Sequence, residues 1–515
     1  MFKQFKSNVI YAIGSVANSA ALFLLIPYLI NNLSVSEYGA WSLLEVGIML
    51  FIMLSLPGLE IALMREYWFI NDDEKRTRLS STLIWFVLAW GSILALIGSG
   101  LALLLSQRLN IPGVPGTLIL ALLAGLLEAL VNVFLTVFRI REEAWKFTLI
   151  SVIRMGIFMG SSIILVWNGM GLTGAIMGRA IAGGLALVLG VIMGYRYFSW
   201  TFSWSHLWRM VRYGLPLLPT KGAQYILQAS DRYVLNLFTA LNVVGIYSFG
   251  YKVAAGLDIL VVRPFAIDWG ARRFKIATYT NAPRHYVRIL VGYAGVSLFS
   301  ALVLLSLVPE LYGWIAPETY REGMKVVPII VAAYVVYGLS YPLNIGIMLR
   351  DKTKYAPIIG GIAAAVCLGL NFWLIPNYGM LGAAWATLIS YIIWTAGITI
   401  VSQYFYRVSY SIREILLLIT GTVTGYLGIW WIEQNGLGQS IFLMPFILKV
   451  VWLLFIFSSI GISILRIEGI QLPMNCSVKG ESKNCSKSVG YFEKSKIRNS
   501  RNAHPSKIPP SKTFY

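Results

Sequence analysis

The chain alternates long apolar runs with short polar breaks almost from its first residue to about residue 467. The runs are about 20 to 28 residues long, the length a helix needs to cross about 30 Å of hydrocarbon. Lipid offers no partner to backbone N–H and C=O groups, so helices that satisfy their own hydrogen bonds are the expected element. Runs near 8–31, 38–69, 79–106, 116–140, 144–168 and 171–198 are followed by runs near 213–240, 243–270, 285–309, 323–350, 355–376 and 379–405. Two more lie near 412–432 and 441–467. The pattern predicts an all-α integral membrane protein with about fourteen transmembrane helices.

The connections fix the orientation. Alternate ones hold Lys75, Arg76 and Arg78; Arg139, Arg141 and Lys146; Arg196, Arg209 and Arg212; Arg272, Arg273, Lys275, Arg284 and Arg288; Arg350, Lys352 and Lys354; Arg407 and Arg413. The others hold only Arg108, Arg321 and Lys325. Basic loops stay inside, so both termini are expected in the cytoplasm. A missed span would reverse the bias beyond it, and no reversal occurs. The first run has no small-residue cleavage site and reads as an uncleaved span.

The sequence also resembles itself at an offset of about 206 to 210 residues. SEYGAWSL (36–43) follows the first run and VVGIYSFG (243–250) the seventh, which pairs Gly39 with Gly245, Trp41 with Tyr247 and Ser42 with Ser248. GLTGA (171–175) opens the sixth run and GMLGA (379–383) the twelfth. Trp145 and Tyr355 open the fifth and eleventh after similar basic loops. Parallel repeats of this kind mark transporters whose site lies between two halves. The expected organisation is an N-lobe of helices 1–6 over 1–198, a C-lobe of helices 7–12 over 199–405, two appended helices over 406–467, and a basic tail over 468–515. That tail is rich in Ser, Lys, Asn and Pro and too poor in apolar residues to fold, so it is expected to be disordered on the cytoplasmic side.

Composition narrows the function. The chain is 57% hydrophobic and 12% charged, with a formal net charge of +20. The charge follows from the basic inner loops and the tail, and gives no argument for nucleic acid. Cys367, Cys476 and Cys485 make no metal spacing. No GxxxxGK[ST] loop is present, and no soluble segment is large enough to hydrolyse nucleotide. No cofactor or metal is expected. A membrane-embedded polymerase or glycosyltransferase would need catalytic carboxylates at the outer face, where only Glu310, Glu318 and Glu322 are available.

Ionisable groups within the apolar runs are costly and face a cavity by default. Arg154, Arg179, Lys221 and Lys252 are the deep cations read as cavity-lining, and Arg232, beside Asp231, is either a structural charge or a further cavity candidate. In the seventh run Lys221, Gln224, Gln228 and Asp231 recur at helical spacing, with Tyr225 and Arg232 adjoining, which makes one polar stripe. Asn8, Tyr11, Ser15 and Asn18 repeat that spacing in the first run. Tyr334, Tyr337, Tyr341 and Asn344 give the tenth an aromatic face suited to sugar rings as well as to ordinary core packing. Glu128, Asp231 and Asp258 are the carboxylates placed to couple an ion. Lys252 and Asp258 lie on different faces of one helix and cannot pair tightly within it. Deep cations outnumber the deep anions read here, which favours an anionic ligand.

The segments LSVSEYG (33–39), YGLPLLPTKGAQYILQASDRYVLNLF (213–238), VVGIYSFGYKVA (243–254) and YGMLGAAWATLISY (378–391) resemble the polysaccharide flippase branch of the MOP superfamily. That branch includes O-antigen flippases and is related to lipid II flippases and MATE drug exporters. The resemblance runs over nearly the whole of 1–405. It implies a V-shaped pair of six-helix lobes with a cationic lumen in a prokaryotic cell membrane. It also implies a polyprenyl-diphosphate-linked oligosaccharide as cargo, an O-antigen, capsule or exopolysaccharide unit, carried from the inner to the outer leaflet by alternating access with ion coupling. The bilayer and the polymerase and glycosyltransferases of the same pathway are the implied partners. Lipid II flippases tend to carry arginine on the first span, whereas here no charge stands between Lys6 and Glu37. The alternative within transport is a cation-coupled, MATE-like exporter of small molecules, for which a carboxylate-lined lumen is expected.

Overall fold

The computed structural model describes residues 24–105, 116–410, 412–434, 451, 452 and 458. The polar stripe of the first run, the connection carrying Arg108, nearly all of the fourteenth run and the tail lie outside the described residues. Within residues 1–461, which form one compact unit, the described chain is helical and contains no strand.

Helix α1 occupies 24–32. The motif LSVSEYG then proves to be a capping box that starts α2 (Val35–Ser55). Ser34 Oγ accepts from the Glu37 backbone N–H at 3.2 Å, and the Glu37 carboxylate accepts from the Ser34 backbone N–H at 2.9 Å. Two donors that the helix leaves orphaned are thereby satisfied. The second run is broken at Pro57 and Gly58 and resumes as α3 (Leu59–Trp68). Helices α4 (Asp73–Leu105) and α5 (Gly116–Ile140) follow, then α6 (Ala144–Leu165), joined through a π turn at Val166–Met170 to α7 (Gly171–Gly194).

One helix lies between the expected runs. Helix α8 (Trp204–Gly214) buries Leu207 and Met210 on one side and exposes Trp204, Trp208, Arg209 and Arg212. An amphipathic helix with aromatics and arginines outward suits the membrane interface at the basic end. The segment reads as a loop by hydrophobicity alone because its apolar face is too narrow for a span.

The second half repeats the devices of the first. Helix α9 (Leu218–Phe238) leads to α10 (Leu241–Ala254), which is interrupted by a π turn at Asp258–Val262 and resumes as α11 (Arg263–Ile276) with Pro264 in its first turn. Pro57 and Pro264 thus break the two repeat-related spans at matching points, since proline cannot donate to the preceding turn. Helices α12 (Ala282–Ile315), α13 (Val327–Leu343) and α14 (Ile345–Leu349) come next. Helix α15 (Tyr355–Phe405) holds the eleventh and twelfth runs, folded at Gly379. Helix α16 (Ile412–Gln434) packs on α12.

The GLTGA and GMLGA motifs have one physical cause. Gly171 has φ 51° and ψ −135°, and Gly379 has φ 52° and ψ −130°. Both residues occupy the same region, open in practice only to glycine, at the same place in a tight helical hairpin.

The two halves meet where α2 crosses α10. A Cβ on Gly39 would collide with the carbonyl oxygen of Leu241, and one on Gly245 with the carbonyl oxygen of Val35. The interaction is reciprocal, as two-fold symmetry about the crossing demands. Tyr38, Trp41, Tyr247, Phe249, Tyr312 and Tyr320 are buried around it. The loop charges lead one to expect this end outside, and the burial of these side chains closes the molecule here.

Candidate transport cavity

Below the crossing, a cavity opens between α2, α9, α10 and α13. Glu45, Tyr225, Gln228, Arg232, Tyr251, Lys252, Asp258, Arg263, Tyr334 and Tyr337 line it. A second cavity continues toward the basic end and is lined by Glu60, Asn132, Lys221, Gln224, Tyr225 and Gln228 among others. Tyr225 and Gln228 belong to both, so the α9 stripe runs along one path.

Helix α9 reaches this position because its partners claim its other faces. It packs along α15 through Ala223 and Leu227. Tyr225 and Tyr233 donate to the backbone carbonyls of Val46 and Leu43 on α2 at 3.1 and 3.2 Å. Lys221, Gln224 and Gln228 are left on the side that faces the cavity.

The charges meet in specific pairs. Lys252 Nζ donates to Glu45 Oε2 at 2.6 Å, from α10 to α2, and lies 3.8 Å from the ring centre of Trp41. Lys221 is 3.7 Å from Glu60, again across the halves. Arg263 donates to Asp258 at 2.6 Å, so Asp258 and Lys252 have separate partners. Arg232 is 6% exposed; it stacks on Tyr251 at 4.4 Å and donates to the Gln228 carbonyl, and its buried Nε has no partner among the described residues. Asp231 turns away from the lumen and accepts from Tyr247 Oη and the Arg232 backbone N–H.

Other residues lie elsewhere. Arg179 on α7 forms a two-toothed pair with Glu128 on α5, at 2.7 and 3.1 Å, inside the N-terminal half. Arg154 on α6 makes no ion pair among the described residues, and its field reaches Glu128. Tyr334 and Tyr337 line the cavity and continue through Tyr391 as packed rings, with Tyr337 and Tyr391 centres 4.9 Å apart. Tyr341 sits below this group, and Asn344 ends α13 outside the cavity lining.

Glu45, Glu60, Asn132 and Trp41 are the lining or flanking residues that the sequence reading passes over. Glu45 and Glu60 did carry a signal, being carboxylates inside an apolar run. Counting them removes most of the cationic excess: the upper cavity keeps one net positive charge, and the lower one is balanced.

The arrangement is that of a multi-pass α-helical membrane protein. Residues 32–260 match the family described as polysaccharide biosynthesis protein. The chain is similar to the Lsg locus putative protein 1 of Haemophilus influenzae, with 23% identity over 333 residues that cover 61% of this chain and 75% of that one. Among solved structures, the lipid II flippase MurJ in an inward closed conformation superposes with a TM-score of 0.72 at 13% identity, covering 90% of this chain and 100% of that one. The Vibrio cholerae MATE transporter VcmN in its bent form gives 0.54 at 15% identity over 79% of this chain and 96% of that one. The fold is therefore the one these solved structures share.

Proposed function

We propose that this protein moves a polyprenyl-diphosphate-linked oligosaccharide from the inner to the outer leaflet by alternating access. The observation that carries the reading is the cavity between repeat-related helices, where Lys252, Arg232 and Arg263 stand beside Gln228, Tyr225, Tyr251, Tyr334 and Tyr337. A diphosphate needs cations and a sugar needs amides, hydroxyls and ring faces. Neither head-group component crosses hydrocarbon alone, since each unpaired hydroxyl costs roughly 2–7 kcal/mol, while the polyprenyl tail can remain in lipid. The cavity is closed at the outer end, so cargo would enter from the basic, cytoplasmic side. The O-antigen, capsule or exopolysaccharide unit is the cargo class this reading assigns. Ion coupling is assigned to Asp231, because Glu128 and Asp258 each hold an arginine head group whereas Asp231 is held by a hydroxyl and a backbone amide.

The test places one cysteine at Gln228, in a chain with Cys367, Cys476 and Cys485 replaced by serine, and measures maleimide labelling in nanodiscs. Undecaprenyl-diphosphate-linked oligosaccharide should slow labelling several-fold, and undecaprenol should leave it unchanged. Protection by a small organic cation, with none by the lipid-linked sugar, would favour the MATE-like exporter and sink the flippase reading.

A further inference from the structure

Lys252 is the cation best placed to meet an anionic ligand in the upper cavity, yet it already has an anion. Glu45 sits against it at 2.6 Å, and the side chains are only 16% exposed for Lys252 and 15% for Glu45. The pair bridges α2 and α10, the same helices whose glycines cross at the outer end. Trp41, beneath the ammonium, holds it in place from the α2 side. No symmetry requires this arrangement: the repeat mate of Lys252 is Val46, and that of Glu45 is Tyr251.

We propose that Glu45 is a resident stand-in for the cargo's phosphate, occupying Lys252 in the empty protein and giving it up when cargo binds. The inference rests on the reading of the cavity as a lipid-diphosphate site. A carboxylate oxygen and a phosphate oxygen ask the same of an ammonium, a short charge-assisted hydrogen bond. The phosphate carries more charge, and Arg232, stacked on Tyr251 beside it with Nε unpaired, can serve it at the same time. Glu45 lines the cavity itself, so on release its carboxylate can turn into that space.

The exchange would couple binding to movement. Before it, an ion pair ties α2 to α10; after it, Lys252 is held by the ligand and that tie is gone. A ligand shifts a conformational equilibrium only through its different interactions with the two states, and this exchange supplies such a difference. It also keeps an empty carrier from cycling freely. The cost is affinity, since the ligand must first displace a carboxylate.

That cost is measurable. Farnesyl diphosphate serves as probe, titrated by calorimetry into the full-length protein in nanodiscs. Glu45→Gln should bind it about tenfold more tightly than the native protein, because a neutral amide competes weakly for Lys252. Lys252→Gln should bind poorly, and Glu45→Gln in that background should restore nothing. A structural ion pair would instead lower the melting temperature on Glu45→Gln and leave affinity alone. Should Glu45→Gln fail to fold, Glu45→Asp reads the same quantity: the shorter carboxylate falls back from Lys252, and binding tightens by a smaller factor. If the native protein binds the probe and neither variant binds more tightly, the stand-in role is wrong and the cavity reading survives. If neither the native protein nor the Glu45 variants bind it, both fall.

Discussion

Gly39 and Gly245, repeat mates in the sequence, pack backbone to backbone where α2 crosses α10. A Cβ on either would strike a main-chain carbonyl of the other helix, so no side-chain rotation relieves it. The pair acts as a contact that allows the outer end to shut, and everything below it follows from that closure.

Gly39→Leu should therefore hold the outer end open. Overpacking of this kind costs about 1–3 kcal/mol in a well-packed contact, and parting the helices is the available relief. Ser248→Cys, fully buried next to the crossing, reports the change. With native Gly39 it should resist a membrane-impermeant thiol reagent added outside, and with Gly39→Leu it should react at least about tenfold faster. Equal protection in both would mean that the crossing is static packing.

Gly379→Ala isolates the backbone term of the hairpin turn. Nothing lies within reach of an added methyl there, so the loss should come from the positive φ alone, about 1–3 kcal/mol. At the repeat-related turn, Gly171→Ala adds a close approach to the Glu37 carboxylate. Thermal melts in detergent should place Gly171→Ala at or below Gly379→Ala, and both below the native chain. A neutral Gly379→Ala would contradict the shared backbone requirement.

Arg179 and Arg154 should behave differently although both are deep arginines of the N-terminal half. Arg179→Ala strands the buried Glu128, an effect of about 3–5 kcal/mol, and should cut the amount of folded protein. Adding Glu128→Gln should recover it. Arg154→Ala removes a half-buried cation with no ion pair among the described residues and should leave abundance near normal. The comparison is read by size-exclusion profiles of membrane extracts.

Much of this architecture is legible in the chain. Apolar runs predict the spans because lipid imposes one length and one hydrogen-bonding solution. The repeat is legible because two turns need glycine for the same backbone reason and two crossings need it for the same steric one. The pairing of charges is not. Glu45 meets Lys252, and Glu60 meets Lys221, from opposite halves of the molecule, and no local period encodes which residue of one half faces which of the other. Arg179 reads as a lumen cation by depth, yet its partner Glu128 lies on a neighbouring helix of the same half. Asn344 shares the face of Tyr337 by spacing, but α13 ends just before it and leaves it outside the cavity that Tyr334 and Tyr337 line. Helix α8 is hidden because a narrow apolar edge at an interface does not resemble a span.

The most direct measurement is leaflet transfer in sealed vesicles. Native protein is compared, at equal amounts, with the double variant Glu45→Gln, Lys252→Gln, which removes the cation without stranding a buried charge. The readout is the rate at which undecaprenyl-diphosphate-linked oligosaccharide, loaded on one leaflet, becomes accessible to a glycosidase on the other side. The account predicts rapid transfer by the native protein and less than about a tenth of that rate for the double variant at unchanged abundance. No transfer by the native protein, or equal transfer by both, would contradict it.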